Sequence, residues 1–357
     1  MIDLFSPLVL GPLVLPNRIL LAPLTRGRAG VQHLPNALMA EYYVQRASAG
    51  LMIAEATMVM ENTSSFWTEA GIYSAAQVEG WKLVTAAVHA AGGRIFLQLW
   101  HGGRTCHPLL NGGEQPVAPS ALAITGGHVH TPEGKQPYVM PRELADAELP
   151  GIVAAFRQAA QNSLTAGFDG VEIHGANGYL LDEFLSDGSN HRTGPYGGSL
   201  ENRARLLFEV LAAVSEVFGS DRVGLRISPL NSYHSMRSSD PIGLCTWLAK
   251  RLNDFQLAYF HVLRRDFFHQ QTGDVLSPIR EHYRGVLIAN MGYQALEANA
   301  AIGTGAIDAV AFGASFLANP DLPARLRVAA PLNVPDMATF YTPGPAGYTD
   351  YPCLGAH

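Results

Sequence analysis

Cysteine, lysine and long apolar runs are all scarce in this sequence of 357 residues. The three cysteines, Cys106, Cys245 and Cys353, are too few and too scattered to predict a disulfide framework. The net charge of -6 at pH 7 gives no basic footprint for nucleic acid. No apolar run reaches the roughly 18 residues of a membrane span, and the N-terminus lacks a signal-peptide pattern. We therefore expect a cytoplasmic globular protein that binds neither nucleic acid nor membrane.

The sequence does contain a series of short apolar runs, and apolar residues make up 48% of the chain. Such runs are typical of strands that are buried on both faces of a parallel sheet. We find eight: Arg18–Pro23, Leu51–Ala56, Arg94–Leu99, Gly170–His174, Val223–Ser228, Leu257–Val262, Gly285–Ala289 and Ala309–Gly313. Stretches with a helical pattern separate most of them: Ala37–Ala49, Ala75–Ala91, Gly151–Ala166, Leu200–Val217, Leu244–Asn253, Ser277–Tyr283 and Gln294–Ile302.

Eight strand–helix units in series predict an α/β fold, a (β/α)8 TIM barrel, because right-handed parallel crossovers close naturally at eight strands. An open doubly wound sheet is the structural alternative. No shift in composition marks a linker, so residues 1–357 are expected to form a single domain. Two glycine-rich insertions, 105–149 and 177–199, follow the third and fourth strands at the face where such barrels build active sites.

The fourth predicted strand leads directly into a cluster of polar residues. His174 ends this strand, and Asn177 and Tyr179 follow it on a loop that contains two glycines. His and Asn side chains can both donate to one carbonyl oxygen, and a Tyr hydroxyl can deliver a proton. These groups suit the polarisation and protonation of a conjugated carbonyl, although a structural histidine is the commoner reason for a histidine at a strand end.

Glycines flank the eighth predicted strand, in Gly303-Thr304-Gly305 and in Phe312-Gly313-Ala314-Ser315. In these barrels the loops after strands seven and eight often bind phosphate through backbone N–H groups. Tight turns use the same residues, so this pattern is informative only together with the rest of the site.

Histidines in the first insertion raise a different possibility. His128 and His130 resemble the paired histidines of barrel metal hydrolases, but they do not lie on a first strand. No zinc-type spacing, phosphate-binding P-loop or G-x-S-x-G nucleophile elbow is present. We therefore expect no metal site, and the metal hydrolase remains a minor alternative.

Several motifs in the correct order resemble the Old Yellow Enzyme family of FMN-dependent ene reductases, in particular bacterial members such as pentaerythritol tetranitrate reductase. They span nearly the whole chain: Pro16–Ala29, Ala54–Thr57, Leu97–Arg104, Gly167–Leu207, Leu225–Pro229, Asp308–Gly313, Leu317–Leu322 and Thr339–Pro352. The family fold is the barrel already expected from the pattern of strands and helices.

The resemblance implies which residues bind FMN. The positions matching flavin-ring contacts are Pro23, Thr25, Ala56, Gln98 and Arg226. Thr25 corresponds to the residue near the flavin C4 oxygen, Gln98 to the one at the pyrimidine edge, and Arg226 to the arginine that faces N1 and O2. A fixed cation there stabilises the anionic reduced flavin. Gly292, Gly313 and Ala314 match the side of the site that holds the phosphate.

The resemblance also implies a mechanism with catalytic roles for Tyr179, His174 and Asn177. NADPH, or NADH, gives hydride to the flavin, and N5 passes it to the β-carbon of an α,β-unsaturated carbonyl or nitro compound. His174 and Asn177 bind the substrate oxygen, Tyr179 protonates the α-carbon, and Trp100 and Tyr341 line the substrate pocket. The partner is thus a small molecule, and the protein is expected to be a monomer or homodimer.

One departure from the family pattern lies on the phosphate side. The family usually has arginine after the Phe-Gly at the end of strand eight, where this chain has Ala314. The loss of a charge-assisted contact raises the alternative of a flavin-poor or repurposed member that binds small molecules or performs non-redox enone chemistry. Arg264 or Arg265, after the sixth strand, is the candidate replacement.

Overall fold

The computed structural model describes residues 2–355, and its centre is a closed barrel of eight parallel strands. The strands, labelled β1 to β8 in chain order, are Ile19–Leu21, Met52–Met58, Ile95–Trp100, Gly170–Gly175, Val223–Ile227, Tyr259–Leu263, Leu287–Asn290 and Ala309–Phe312. Each strand pairs in parallel with the next, and β8 pairs with β1. All residues of these strands are buried, as their apolar runs predict. The (β/α)8 barrel is confirmed, and the open sheet is excluded.

The predicted helices are all present, with some ends shifted. The helices, labelled α1 to α10, are Ala37–Val44, Ala75–Ala90, Leu149–Thr165, Leu180–Leu185, Leu200–Phe218, Pro241–Leu252, Leu276–His282, Ala295–Gly303, Ala314–Ala318 and Leu322–Arg327. The chain leaves α1 at Val44, five residues before the predicted end, and turns towards β2. Helix α6 begins at Pro241 rather than Leu244, because the Asp240 side chain accepts from the Gly243 N–H and caps the helix. Within residues 2–355, no helix is both long and apolar enough to cross a membrane.

The two insertions lie together beyond the carboxyl ends of β3 and β4. The first contains a hairpin of Val129–Thr131 with Gly134–Gln136. The second contains α4, a helix of six residues that is too short to produce a recognisable helical period in the sequence. Arg192 joins the two segments by donating to the carbonyl oxygens of Leu144 (2.6 Å) and Pro119 (3.0 Å). The face predicted to carry the active site is therefore covered by two connected segments.

The last part of the chain returns to the same face through arginines on the loop after β1. Arg26 donates to the carbonyl oxygens of Phe340 (3.1 Å) and Gly347 (2.7 Å). Arg28 also donates to the Phe340 carbonyl oxygen, at 2.8 Å. These bonds hold the segment that contains Tyr341 beside the barrel mouth.

Candidate active site

His174, the residue before the last one of β4, has a buried ring with one fixed tautomer. Its Nδ1 accepts a hydrogen bond from the backbone N–H of Ala176 at 3.3 Å. Burial, followed by the positive charge of Arg226, holds the pKa of His174 well below its ordinary value, so the ring is neutral at pH 7. A neutral ring with an accepting Nδ1 carries its proton on Nε2. His174 is therefore a hydrogen-bond donor.

Asn177 lies on the loop after β4 and is fixed by three contacts. Its φ of 60° places it in the left-handed region, which Asn tolerates better than most residues. Its backbone N–H donates to Ser228 Oγ (2.7 Å), and its carbonyl oxygen accepts from His234 Nδ1 (2.8 Å). Its side-chain Oδ1 accepts from Asn231 Nδ2 at 3.1 Å. Because the amide oxygen is occupied, the amide nitrogen is left as a donor.

Tyr179 packs against two other residues that the resemblance assigned to the site. Its ring makes edge-to-face contacts with His174 (centroids 5.0 Å apart) and with Trp100 (5.1 Å). Burial holds the pKa of Tyr179 well above its ordinary value, so the phenol keeps its proton at neutral pH. The structure thus brings His174, Trp100 and Tyr179 into one cluster.

A cavity of about 1140 Å³ opens beside this cluster. Tyr179 and Tyr341 both line it, together with residues 124–131 of the first insertion and 232–237 of the loop after β5. The other predicted substrate-binding residues, Trp100, His174 and Asn177, do not line this cavity. Tyr341 is 59% exposed and stacks on Phe66, with centroids 5.7 Å apart. Such a volume accommodates a small organic molecule with room to spare.

Deeper in the barrel, Gln98 belongs to a buried network that spans three strands. Gln98 Nε2 donates to Glu172 Oε1 at 2.7 Å, and His261 Nδ1 donates to Glu172 Oε2 at 2.8 Å. With its amide nitrogen bound to Glu172, Gln98 presents its Oε1 as an acceptor. The network fixes the orientation of the Gln98 amide.

Arg226, on β5, supplies a buried positive charge next to His174 in the strand register. Its Nη2 donates to Asn290 Oδ1 at 2.9 Å, and it makes no ion pair with a residue in the described range 2–355. Its Nε is buried and has no hydrogen-bond partner in that range. A buried guanidinium with an unused donor fits an electron-rich group bound in the barrel mouth.

The remaining ring-contact candidates belong to β2 and to the loop after β1. Pro23 is buried and Thr25 half-buried on the loop after β1, and Ala56 packs in one apolar cluster with Trp100 and Tyr179. Together with the acceptor of Gln98 and the unused donor of Arg226, they match a flat ring whose edge carries both acceptors and donors. The residues present therefore fit the isoalloxazine ring of FMN.

The phosphate-side candidates lie at the ends of β7 and β8. Gly292 has a φ of 75°, which favours glycine. The backbone N–H groups of Gly292, Gly313 and Ala314 donate to no other protein atom in the part of the chain that the structure describes. Of the two arginines after β6, Arg264 pairs with Glu297, and Arg265 lies beside Gly292.

Four polar residues that complete the site were not assigned a role from the sequence. They are Glu172, His261, Asn231 and His234. A signal existed for Glu172, because strand alternation places it on the same face as His174. The other three act through contacts between strands or loops that are far apart in sequence, so no local pattern marks them.

The two histidines considered for a metal lie in the hairpin of the first insertion. The rings of His128 and His130 are 5.0 Å apart. No group of three His, Cys, Asp or Glu side chains between residues 2 and 355 is arranged to bind a metal ion. Nothing in that part of the chain supports the metal hydrolase alternative.

The barrel and its polar cluster define the class: a TIM-barrel protein with a flavin-compatible site at the carboxyl ends of the strands. Comparison with known families agrees, because the model of the NADH:flavin oxidoreductase / NADH oxidase family matches residues 3–333. The chain belongs to this family, and the resemblance to Old Yellow Enzymes is confirmed.

Individual relatives match over the full length. A probable flavin mononucleotide-dependent alkene reductase of Leishmania infantum is 49% identical, with 98% of this chain and 97% of that protein covered. The old yellow enzyme of Trypanosoma cruzi superposes with a TM-score of 0.96 at 46% identity, covering 99% of each chain. Morphinone reductase in complex with tetrahydroNAD gives 0.95 at 46% identity, covering 99% of this chain and 98% of the other.

Proposed function

We propose that this protein is an FMN-dependent ene reductase, which uses NADPH or NADH to reduce the C=C bond of small α,β-unsaturated carbonyl or nitro compounds. The observation that carries the proposal is the contact between His174 and Tyr179 at the end of β4, with the buried cation of Arg226 next to His174 in the strand register. The relatives named as an alkene reductase and as a complex with a nicotinamide analogue support the same reaction.

FMN would be held by two groups of residues. Pro23, Thr25, Ala56, Gln98 and Arg226 would contact the ring, and Gly292, Gly313 and Ala314 would offer backbone N–H groups to the phosphate. Bound FMN supplies the redox chemistry, taking hydride from the nicotinamide cofactor and passing it to the substrate. Arg226 would balance the negative charge of the reduced cofactor at no cost of reorganisation, because Asn290 already fixes it.

The substrate is oriented by two neutral donors. His174 Nε2 and the side-chain nitrogen of Asn177 would donate to the carbonyl or nitro oxygen. Both donors are fixed before substrate arrives, by Ala176 and by Asn231. Fixed donors stabilise the negative charge that develops on this oxygen during hydride transfer more than they stabilise the uncharged substrate.

Tyr179 completes the reaction by protonating the substrate α-carbon. Its raised pKa keeps the phenol protonated until carbanion character develops nearby. The cavity that Tyr179 and Tyr341 line would hold the small-molecule substrate. The cytoplasmic location and the monomeric or homodimeric state stay predictions from the sequence.

An anaerobic visible spectrum of the purified protein tests this function. NADPH should bleach the flavin bands, and cyclohexenone added afterwards should restore them. Bands that NADPH does not bleach, or that the enone does not restore, would contradict the proposal. A colourless protein that takes up no added FMN would instead favour the flavin-free alternative that Ala314 suggested.

A further inference from the structure

Arg264 and Arg265 are adjacent in sequence but have different environments. Arg264 binds both carboxylate oxygens of Glu297, at 2.5 and 2.9 Å, and donates through Nε to the Met291 carbonyl oxygen at 2.9 Å. Its guanidinium also covers the ring of Tyr293, 3.6 Å from the centroid. These contacts occupy the Arg264 side chain and neutralise Glu297.

Arg265 is exposed, and its side chain makes no hydrogen bond or ion pair with any residue from 2 to 355. A Cβ built on Gly292 would lie 3.3 Å from Arg265 Nη1. The positive charge of Arg265 therefore lies directly beside the backbone of the loop after β7.

The strand register explains why these groups meet. Leu263 at the end of β6 pairs with Asn290 of β7, which in turn pairs with Ala311 of β8. The residues two positions after Leu263, Asn290 and Ala311 are Arg265, Gly292 and Gly313. The cation and the two glycines thus continue one row of the barrel past its carboxyl end, where phosphate groups bind in folds of this kind.

We propose that Arg265, next to Gly292 and in register with Gly313, is the side chain that binds the terminal phosphate of FMN in this protein. The inference rests on the flavin position given in the proposed function. The guanidinium would supply the charge that Ala314 lacks, and the N–H groups of Gly292 and Gly313 would complete the phosphate cradle. Because Arg264 neutralises Glu297, this carboxylate does not repel the phosphate.

The test compares FMN with riboflavin, which has the same ring but no phosphate. Flavin-stripped full-length protein is titrated with each flavin, and binding is followed by quenching of flavin fluorescence. Arg265→Gln should weaken FMN binding about 10- to 100-fold, the range expected for a lost charge-assisted hydrogen bond, and leave riboflavin binding unchanged. Arg265→Lys should recover part of the FMN affinity.

Two controls accompany this variant. Arg284→Gln removes another exposed arginine, which precedes β7 at the opposite end of the barrel, and should keep the wild-type preference for FMN. Glu297→Gln removes the carboxylate partner of Arg264 but keeps the Arg264 bond to the Met291 carbonyl oxygen, and it should not weaken FMN binding relative to riboflavin. Thermal unfolding of each variant checks that the fold is intact.

An unchanged FMN-to-riboflavin affinity ratio in Arg265→Gln would overturn the inference. A change confined to the KM for NADPH would overturn it as well, because Arg265 would then serve a phosphate of the nicotinamide cofactor. Neither titration requires turnover, so failure of this inference is distinguishable from failure of the reductase function.

Discussion

At the scale of single residues, the site depends on polar groups whose second hydrogen-bonding atom is already committed. His174 uses Nδ1 for the Ala176 N–H, and Asn177 uses Oδ1 for Asn231. In each case the remaining atom is a donor, so the pair presents two donors and no acceptor. This arrangement favours a substrate oxygen and disfavours a group that itself must donate.

Asn177 offers a direct check on this arrangement. Asn177→Gly suits the φ of 60° and removes the whole side-chain amide, both the donor and the oxygen that accepts from Asn231, so affinity for the phenolate of 4-hydroxybenzaldehyde should fall about 10-fold. Asn177→Asp keeps the acceptor for Asn231 but adds a negative charge. Because this charge repels the phenolate, the Asp variant should bind it more weakly than the Gly variant does. The affinities follow from changes in the flavin absorption on titration; wild-type affinity in the Gly variant would exclude a role for the Asn177 amide.

At the scale of strands and helices, alternation and register place the site residues. Glu172 and His174 share a face of β4, and register brings Gln98 of β3 next to Glu172 and His261 of β6 next to Arg226. One carboxylate can therefore accept from donors on two other strands. This network connects the Gln98 amide, which we propose contacts the flavin, to the barrel interior.

Glu172→Gln tests whether this network positions Gln98. A Gln at 172 has one acceptor oxygen in place of two, so Gln98 and His261 can no longer both donate to it. Rotation of the Gln98 amide would turn a donor towards the flavin, and we expect a shifted flavin reduction potential and visible spectrum. The matched control is Asp169→Asn, which alters a half-buried carboxylate at the amino end of the same strand, where it accepts from the Ile95 N–H, and it should leave the potential unchanged. If Glu172→Gln and the control variant had the same flavin reduction potential, Glu172 would only stabilise the fold.

The elements were predictable to the extent that their signals are local. Buried apolar runs predict all eight strands, which the structure confirms. Helix α4 has six residues, fewer than two helical turns, and so gives no periodic signal. The choice between Arg264 and Arg265 depends on Glu297, a contact between distant parts of the chain that no local pattern reports.

At the scale of the whole molecule, the active site is assembled from both ends of the chain. Arg26 and Arg28, after the first strand, bind carbonyl oxygens of the C-terminal segment and hold Tyr341 at the cavity. Only the family resemblance pointed to Tyr341, because the bonds that place it run to backbone atoms and leave no trace in the side-chain pattern. The site exists only when the barrel has closed and this segment has returned to it.

The two half-reactions of Tyr179→Phe show whether Tyr179 protonates a substrate that His174 and Asn177 hold. Under anaerobic stopped-flow conditions, flavin reduction by NADPH should proceed at the wild-type rate, since it requires no proton from Tyr179. Reoxidation by cyclohexenone should be slower by about 10²- to 10⁴-fold, the usual contribution of a general acid. Tyr283→Phe, which alters a buried tyrosine whose hydroxyl has no partner in residues 2–355, should match wild type in both steps. Reoxidation of Tyr179→Phe at the wild-type rate would show that Tyr179 is not the proton donor.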